Sequence, residues 1–185
     1  MENKNNALII VDVQKAFDHK KWGERNNLMA EENISRILTF WREKGWQVIH
    51  IQHKSDNPNS IFHPNHEGFS IKDLVKPLAE EVVITKKVNS SFIGTNLDEF
   101  LRLNELTTVV ITGLTTPHCV STTTRMSGNL GYHTYLISDA TAAFSMKDQN
   151  DHYYDADTIH TISLATLHDE FATILTTEQL INVFK

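Results

Sequence analysis

The sequence predicts an α/β protein, in which a mainly parallel sheet carries helices on both faces. Short, continuous apolar segments that are typical of buried parallel strands recur along the chain. Segments with helical periodicity lie between most of them. The 185 residues contain no internal repeat, low-complexity tract or linker-like stretch. Residues 1–185 are therefore expected to form a single domain.

Each element has its own signal in the sequence. The first strand, 7–11, is an unbroken apolar run that ends at Asp12. The first helix, 28–44, repeats apolar residues at helical spacing and ends near Gly45. A capping-box pattern, Thr95 followed by Asp98, predicts another helix start. Further strands are predicted at 48–52, 81–85, 108–112, 132–138 and 171–175, and further helices at 117–130, at 155–167 and from Thr177 onwards.

Composition excludes several classes of partner. The formal net charge is −6 and no cluster of lysine and arginine interrupts it, so neither nucleic acid nor an anionic membrane surface is an expected partner. Residues 1–6 are polar and no apolar run is long enough to span a bilayer, so no signal peptide or membrane segment is predicted. The single cysteine rules out an internal disulfide and favours a reducing compartment. A cytoplasmic protein is expected.

The ends of the predicted strands carry the reactive side chains. In parallel sheets, ligand sites form beyond the carboxyl ends of the strands, where the strand order reverses. Asp12 follows the first strand, Lys86 and Lys87 follow the third, and Cys119 comes shortly after the fourth. An acid, a base and a thiol are therefore expected at one edge of the sheet.

The segment around Cys119 carries most information. Thr116 suits an N-cap and Pro117 a first helical residue, which places Cys119 in the first turn of a helix. Unpaired N–H groups and the helix dipole there favour a thiolate, and the same groups can stabilise an oxyanion. The alternative is structural: a lone cysteine is often a buried small hydrophobe, a buried aspartate can cap a loop, and lysines at strand ends are usually solvated.

Four segments together resemble the isochorismatase-like cysteine hydrolases over almost the whole chain. They are 7–14 (ALIIVDVQ), Lys86 with 90–97 (SSFIGTNL), 112–120 (TGLTTPHCV) and 139–144 (DATAAF). The resemblance implies a three-layer α/β/α sandwich, a homo-oligomer and a catalytic triad of Asp12, Lys86 and Cys119. In the family, the lysine lies four residues before the first serine of the Ser-Ser-Phe segment. This spacing implies Lys86, four residues before Ser90, rather than Lys87. The resemblance also implies a cis peptide bond between Leu114 and Thr115, and an oxyanion hole formed by the backbone N–H groups of Thr115 and Cys119.

The resemblance implies a hydrolase of a small molecule. Members of the family hydrolyse nicotinamide, ureido compounds and carbamoyl compounds, and one branch cleaves a vinyl ether without needing the cysteine. Because Cys119 is present, we expect cleavage of an amide, ureide or carbamoyl C–N bond through a thioester, with vinyl ether hydrolysis as the alternative. Two other classes remain open: a thiol redox protein, which usually needs a second thiol, and a catalytically silent binding protein.

No cofactor and no metal are expected. The nicotinamide branch of the family carries an Asp-x-His metal pair, and the matching stretch here, His50 to His53, lacks the aspartate. Residues three apart on a strand face opposite sides, so these two histidines are not expected to chelate together, and His63 and His66 fall in a predicted loop, 56–69. Position alone suggests pocket residues, for which ordinary packing is the alternative; they are Gln14, Phe17, Trp22, Phe92 and His118.

Overall fold

Six parallel strands form the centre of the protein, in the order β3-β2-β1-β4-β5-β8. The computed structural model describes residues 5–185; residues 1–4, part of the polar N-terminal segment, lie outside the described residues. The strands are β1 (Asn6–Val11), β2 (Gln47–His53), β3 (Val82–Lys86), β4 (Thr108–Leu114), β5 (His133–Ala142) and β8 (Thr173–Leu175), and a separate antiparallel hairpin consists of β6 (Met146–Lys147) and β7 (Tyr153–Tyr154).

Five α-helices accompany the sheet in the part of the chain that the structure describes. They are α1 (Ala30–Glu43), α2 (Leu97–Leu103), α3 (Ser121–Asn129), α4 (Ala156–Ala165) and α5 (Thr177–Phe184), joined by a π-helical turn (Thr116–Val120) and 3₁₀ turns (Lys15–Asp18, Lys20–Trp22, Glu67–Phe69, Asp73–Val75). Within residues 5–185, none of the helices is both long enough and apolar enough to cross a membrane.

Alternating side chains of β1 create a core on each face of the sheet. Ile9 and Val11 face one apolar cluster, which also contains residues of α2. Leu8 and Ile10 face another, which is completed by α1 and α5. Both sets are buried because helices cover both faces, which explains the unbroken apolar run in the sequence. The predicted three-layer sandwich is therefore confirmed.

The strand order reverses next to β1. The chain runs outward from β1 to β2 and β3, then crosses back so that β4 pairs with the other side of β1. Gly113 is needed where these strands meet: its φ is +120°, and a Cβ there would lie 2.0 Å from the carbonyl oxygen of Val11. The reversal places the ends of β1 and β4 side by side.

Some details differ from the sequence-based expectations. The Thr95 capping box is wrong: α2 begins at Leu97, and the Thr95 hydroxyl donates to the carbonyl of Ser91 instead. The helix expected over 117–130 is divided into a π-helical turn and α3, which begins at Ser121. The two-residue strands β6 and β7 were not predicted, because so short a hairpin leaves little periodicity in the sequence.

Candidate active site

Asp12, Lys86 and Cys119 meet at the carboxyl edge of the sheet. Nζ of Lys86 lies 2.6 Å from Oδ2 of Asp12 and 3.2 Å from Sγ of Cys119. It also donates to the carbonyl of Val88 at 3.1 Å. All three reactive side chains are buried, and Lys86 is one of the largest fully buried side chains in residues 5–185. A buried ammonium requires such acceptors, because removing its charge from water is costly.

The local backbone conformation and the strand register position the side chains of Asp12 and Lys86. Asp12 leaves β1 with a φ of +52°, a left-handed conformation that aspartate tolerates better than most residues, and its N–H donates to the carbonyl of Ile51 at 3.0 Å. Lys86 is the last residue of β3 and pairs in register with His53 of β2. Its long side chain therefore passes the end of β2 to reach Asp12.

The turn before α3 carries Cys119. The Leu114–Thr115 peptide bond is cis, and the Thr115 carbonyl accepts from the N–H groups of His118 at 3.1 Å and Val120 at 3.3 Å. The Thr115 hydroxyl lies 3.0 Å from Nδ1 of His118. These hydrogen bonds stabilise the wide turn, and they place Sγ of Cys119 within hydrogen-bond distance of Nζ of Lys86.

The thiol is not primed as a thiolate, contrary to the expectation from its helix-start position. Burial and the negative charge of Asp12 raise the pKa of Cys119 to about 12, outweighing the opposing effect of Lys86. Burial also raises the pKa of Asp12 above its usual range, although Lys86 opposes this shift. The helix-dipole argument fails because the thiol is desolvated beside an anion, and both effects favour the neutral form.

A cavity of about 230 Å³ opens onto the thiol. Phe17, Trp22 and Phe62 form an aromatic wall, with ring centroids 5.2 to 6.3 Å apart. Polar groups line the rest, and they belong to Asp12, His53, Asn89, Thr115, His118 and Cys119. A space of this size suits a small substrate.

Three of the five pocket residues suggested by position line this cavity, and two do not. Phe17, Trp22 and His118 line it, whereas Gln14 and Phe92 do not. The Gln14 amide is buried and fully engaged with backbone groups, so the suggestion that it faces the pocket is corrected. Phe92 stacks on Tyr132 in the core, at a centroid distance of 6.1 Å, because it follows β3 on the side of α2.

Sequence reasoning missed three lining residues: His53, Phe62 and Asn89. His53 ends β2, so the strand-end rule that selected Asp12 would have found it. Phe62 lies in the loop over 56–69 and Asn89 follows β3 at 3.9 Å from Sγ of Cys119. These two leave no periodic signal, because only the tertiary fold brings them to the cavity.

The four histidines considered as metal ligands, which are His50, His53, His63 and His66, do not form one cluster. His50 is buried and lies 2.9 Å from Glu81, away from His53, as expected for strand residues three apart. Nδ1 of His63 accepts from the N–H of Asn65, and His66 accepts from a backbone N–H in the same way.

Three residues that could bind a metal ion lie close together, and all of them contact Lys86. Ligand atoms of Asp12, His53 and Cys119 lie within 4.8 Å of one another. Nζ of Lys86 contacts all three, at 2.6, 3.2 and 3.2 Å. A metal ion bound there would lie beside this ammonium, and repulsion between the two positive charges disfavours a metal in this cluster.

The neighbouring lysine faces away from the site. Lys87 is exposed, and its ammonium lies 2.6 Å from Asp56 on the surface. Lys86, the last residue of β3, is thus buried and Lys87, which follows the strand, is exposed, as the resemblance leads us to expect.

Comparison of the sequence with known protein families shows which family the chain belongs to. The family model of the isochorismatase domain matches residues 6–179. The chain belongs to the isochorismatase family. This confirms the resemblance inferred from the four segments. The uncharacterized isochorismatase family protein YrdC of Bacillus subtilis strain 168 is 80% identical over 184 residues, which are 100% of this chain and 98% of that protein.

More distant similarities extend over most of the chain. A crystal structure of an isochorismatase-family protein from Chromobacterium violaceum ATCC 12472 matches with a TM-score of 0.96 at 35% identity, covering 100% of this chain and 95% of the other. The ureidoacrylate amidohydrolase RutB of Acinetobacter baylyi is 26% identical over 218 residues, covering 97% of this chain and 83% of RutB. This chain is therefore an isochorismatase-family hydrolase.

Proposed function

We propose that this hydrolase cleaves a C–N bond in a small amide, ureide or carbamoyl compound, with Cys119 as the nucleophile. The observation that carries the proposal is the position of Lys86, whose buried ammonium contacts both the Asp12 carboxylate and the Cys119 sulfur. Asp12 and Cys119 line the cavity themselves. A cation between an acid and a thiol can stabilise whichever of them holds the negative charge. The amidohydrolase activity in the name of RutB supports the choice of bond.

The proposed reaction begins with a neutral thiol. Because the pKa of Cys119 is about 12, Asp12 takes the thiol proton as the sulfur attacks the carbonyl carbon, rather than beforehand. Lys86 stabilises the charge that forms on sulfur. Backbone N–H groups of Thr115 and Cys119 are the proposed donors to the oxyanion of the tetrahedral intermediate.

The second half returns the enzyme to its starting state. The intermediate collapses as Asp12 gives its proton to the leaving nitrogen, and the C–N bond breaks to leave a thioester on Cys119. A water molecule then loses a proton to Asp12 and attacks the thioester carbonyl. The acid departs, and the proton on Asp12 returns to the sulfur. One water is consumed and no cofactor is needed, and the single reduced cysteine is consistent with the cytoplasm as the proposed location.

A substrate screen tests the proposal. Small amides, ureides, carbamates and isochorismate are incubated with the wild type, with Cys119→Ser and with Lys87→Ala as a surface control. We expect release of amine or ammonia that disappears in Cys119→Ser and persists in Lys87→Ala. Rapid quenching and mass spectrometry should detect an acyl adduct on Cys119. Isochorismate cleavage that survives in Cys119→Ser would instead identify a vinyl ether hydrolase, and peroxide consumption would identify a redox protein.

A further inference from the structure

Lys86 is surrounded by four hydrogen-bond acceptors, and one of them is a ring nitrogen of His53. Besides Asp12, Cys119 and the Val88 carbonyl, Nζ lies 3.2 Å from Nδ1 of His53. An ammonium donates and cannot accept, so a hydrogen bond between Nζ and Nδ1 has Nδ1 as its acceptor, and two of the four acceptors share one of the three ammonium protons. The proton of a neutral His53 ring is therefore on Nε2.

The environment keeps this ring neutral. Burial and the charge of Lys86 both lower the pKa of His53, outweighing the opposing effect of Asp12. Among residues 5–185, Nε2 has no hydrogen-bond partner, yet it is not sealed in the interior, and the ring lines the cavity. The site thus presents an N–H donor that the protein leaves open to a ligand.

Gln14 fixes the position of this donor. Its Oε1 accepts from the N–H of His53 at 2.8 Å, and its Nε2 donates to the carbonyl of His53 at 3.0 Å and to that of Phe69 at 2.8 Å. The Phe62 ring meets the imidazole edge-on, with centroids 5.2 Å apart. A histidine held at its backbone, at Nδ1 and along its ring has little freedom left, which favours a defined ligand geometry.

We propose that His53 binds substrate through Nε2–H, and that Gln14 is its positioning residue. The partner atom is a second hydrogen-bond acceptor of the substrate, a carbonyl or carboxylate oxygen near the scissile C–N bond. The cavity volume of about 230 Å³ favours a small compound. This inference rests on the proposed function, because the acceptor belongs to the molecule that Cys119 attacks.

Matched substrates provide the test. Succinamate carries a carboxylate acceptor, succinamide a carbonyl acceptor, and 4-methylpentanamide an isopropyl group of similar shape that accepts nothing. The measured quantity is the ratio of kcat/KM for an acceptor-bearing compound to that for 4-methylpentanamide. We expect the wild type to prefer an acceptor-bearing compound by about 10- to 100-fold, as for a hydrogen bond to a polar or charged group. Succinamate and succinamide distinguish the two kinds of acceptor.

Two variants of His53 distinguish the contribution of its N–H donor from that of its aromatic ring. His53→Phe keeps an aromatic ring against Phe62 without a donor, and His53→Gln keeps an amide N–H near the position of Nε2. The preference should fall to near unity in His53→Phe and be partly retained in His53→Gln. A preference that is unchanged in His53→Phe would overturn the inference.

The positioning role has its own matched control. Gln52 also donates to the Phe69 carbonyl, at 2.8 Å, but its side chain makes no hydrogen bond to His53. Gln14→Leu should lower the preference, whereas Gln52→Leu should leave it unchanged, with thermal melting to confirm that both variants fold. Should Gln14→Leu not fold, Gln14→Glu, which can accept from the N–H of His53 but cannot donate to its carbonyl, replaces it. Equal effects at positions 14 and 52 would contradict the positioning role.

Binding measurements keep the inference independent of turnover. If the wild type hydrolyses none of these amides, the change in tryptophan fluorescence on adding succinamate, to which Trp22 in the cavity wall contributes, is compared in the wild type and His53→Phe. Binding that is lost in His53→Phe would support the role of His53 while the proposed reaction fails, and absence of binding in both would overturn it. Long-range ¹H–¹⁵N correlation spectra, with His53→Phe to assign the signal, should show Nε2 protonated and Nδ1 bare; the reverse tautomer would also overturn it.

Discussion

Two buried carboxylates in this protein have basic partners, yet their pKa values shift in opposite directions. Glu31 accepts hydrogen bonds from the two terminal guanidinium nitrogens of Arg25, and Lys72 donates to the same carboxylate at 2.8 Å. Its pKa is lowered to about 2, because the hydrogen bonds and charges of its partners exceed the effect of burial. Burial raises the pKa of Asp12, outweighing the opposing effect of Lys86 and the smaller effects of Cys119 and His53.

The difference lies in how completely each carboxylate is paired. Both oxygens of Glu31 accept from cationic donors, so its negative charge is compensated. Oδ1 of Asp12 has no hydrogen-bond partner among residues 5–185, and its one cation is shared with Cys119, His53 and a backbone carbonyl. A fully paired carboxylate holds structure together, whereas a buried one with a free oxygen remains able to take a proton.

The largest expected effect is a difference in kcat/KM between variants of the two neighbouring lysines, Lys86 and Lys87. Lys86→Met keeps most of the buried stem but removes the charge between Asp12 and Cys119, so kcat/KM should fall by on the order of 10³ or more. Lys87→Ala removes an exposed charge paired with Asp56 and should change kcat/KM by less than about fivefold. Circular dichroism checks that both variants fold. An inactive Lys87→Ala beside an active Lys86→Met would reverse the assignment.

The next effect concerns the thiol that shares its cation with Asp12. The negative charge of Asp12 helps to raise the pKa of Cys119, so Asp12→Asn should lower that pKa and leave Lys86 beside a more acidic thiol. Iodoacetamide should then alkylate Cys119 at pH 7.5 at least about tenfold faster than in the wild type, while hydrolysis is lost.

The fully paired carboxylate provides the control. Glu31→Gln should leave the pH dependence of Cys119 alkylation unchanged, because Glu31 belongs to a different ion-pair cluster. A wild-type alkylation midpoint at or below the ordinary thiol value of about 8.5 would contradict the raised pKa. So would an unchanged alkylation rate in Asp12→Asn.

A smaller effect is expected in the stability contributed by Glu31. Its folded-state pKa, about 2, lies below the unfolded value near 4.5, so its contribution is present above pH 4.5 and is lost as the pH falls towards 2. The shift corresponds to roughly 3 kcal/mol at neutral pH, an upper value for a partly hydrated cluster.

Urea unfolding from pH 7 to pH 3 measures this contribution. Glu31→Gln should lower the free energy of unfolding at pH 7 by about 2 to 3 kcal/mol, and the difference from the wild type should shrink with acidification. A difference that stays constant over this range would show that the loss comes from packing rather than from the ion pairs.

The same comparison explains what could be predicted from the sequence. The apolar run of β1 predicts a buried strand, and residues at or shortly beyond the ends of parallel strands lie at one sheet edge, so Asp12, the lysine pair and Cys119 could be placed together. The choice of Lys86 over Lys87 came from the resemblance to the family. The fold class follows from the same periodicity.

The pKa values of the buried side chains could not be predicted from the sequence pattern. The pKa of Cys119 depends on desolvation and on the distance to Asp12, and helix position alone gave the opposite direction. Gln14 and Glu31 show the same limit: each is a polar residue near the start of a helical or looped segment, and only the fold reveals that every acceptor or donor on its side chain is used. Pairing is a property of tertiary contacts, not of spacing along the chain.

The smallest expected effect is that of chelation, and it tests whether Lys86 is the cation that compensates Asp12. If a metal ion bound Asp12, His53 and Cys119, it and not Lys86 alone would compensate the carboxylate, and the contrast with Glu31 would lose its basis. We expect prolonged dialysis against EDTA to change kcat/KM by less than about twofold, since Lys86 already supplies the positive charge that these atoms accept. Measurement uses a substrate identified in the screen, with Lys87→Ala treated in parallel as the control for handling losses. Activity that disappears on dialysis and returns with zinc would replace the ammonium by a metal and change the account of how Asp12 keeps its charge.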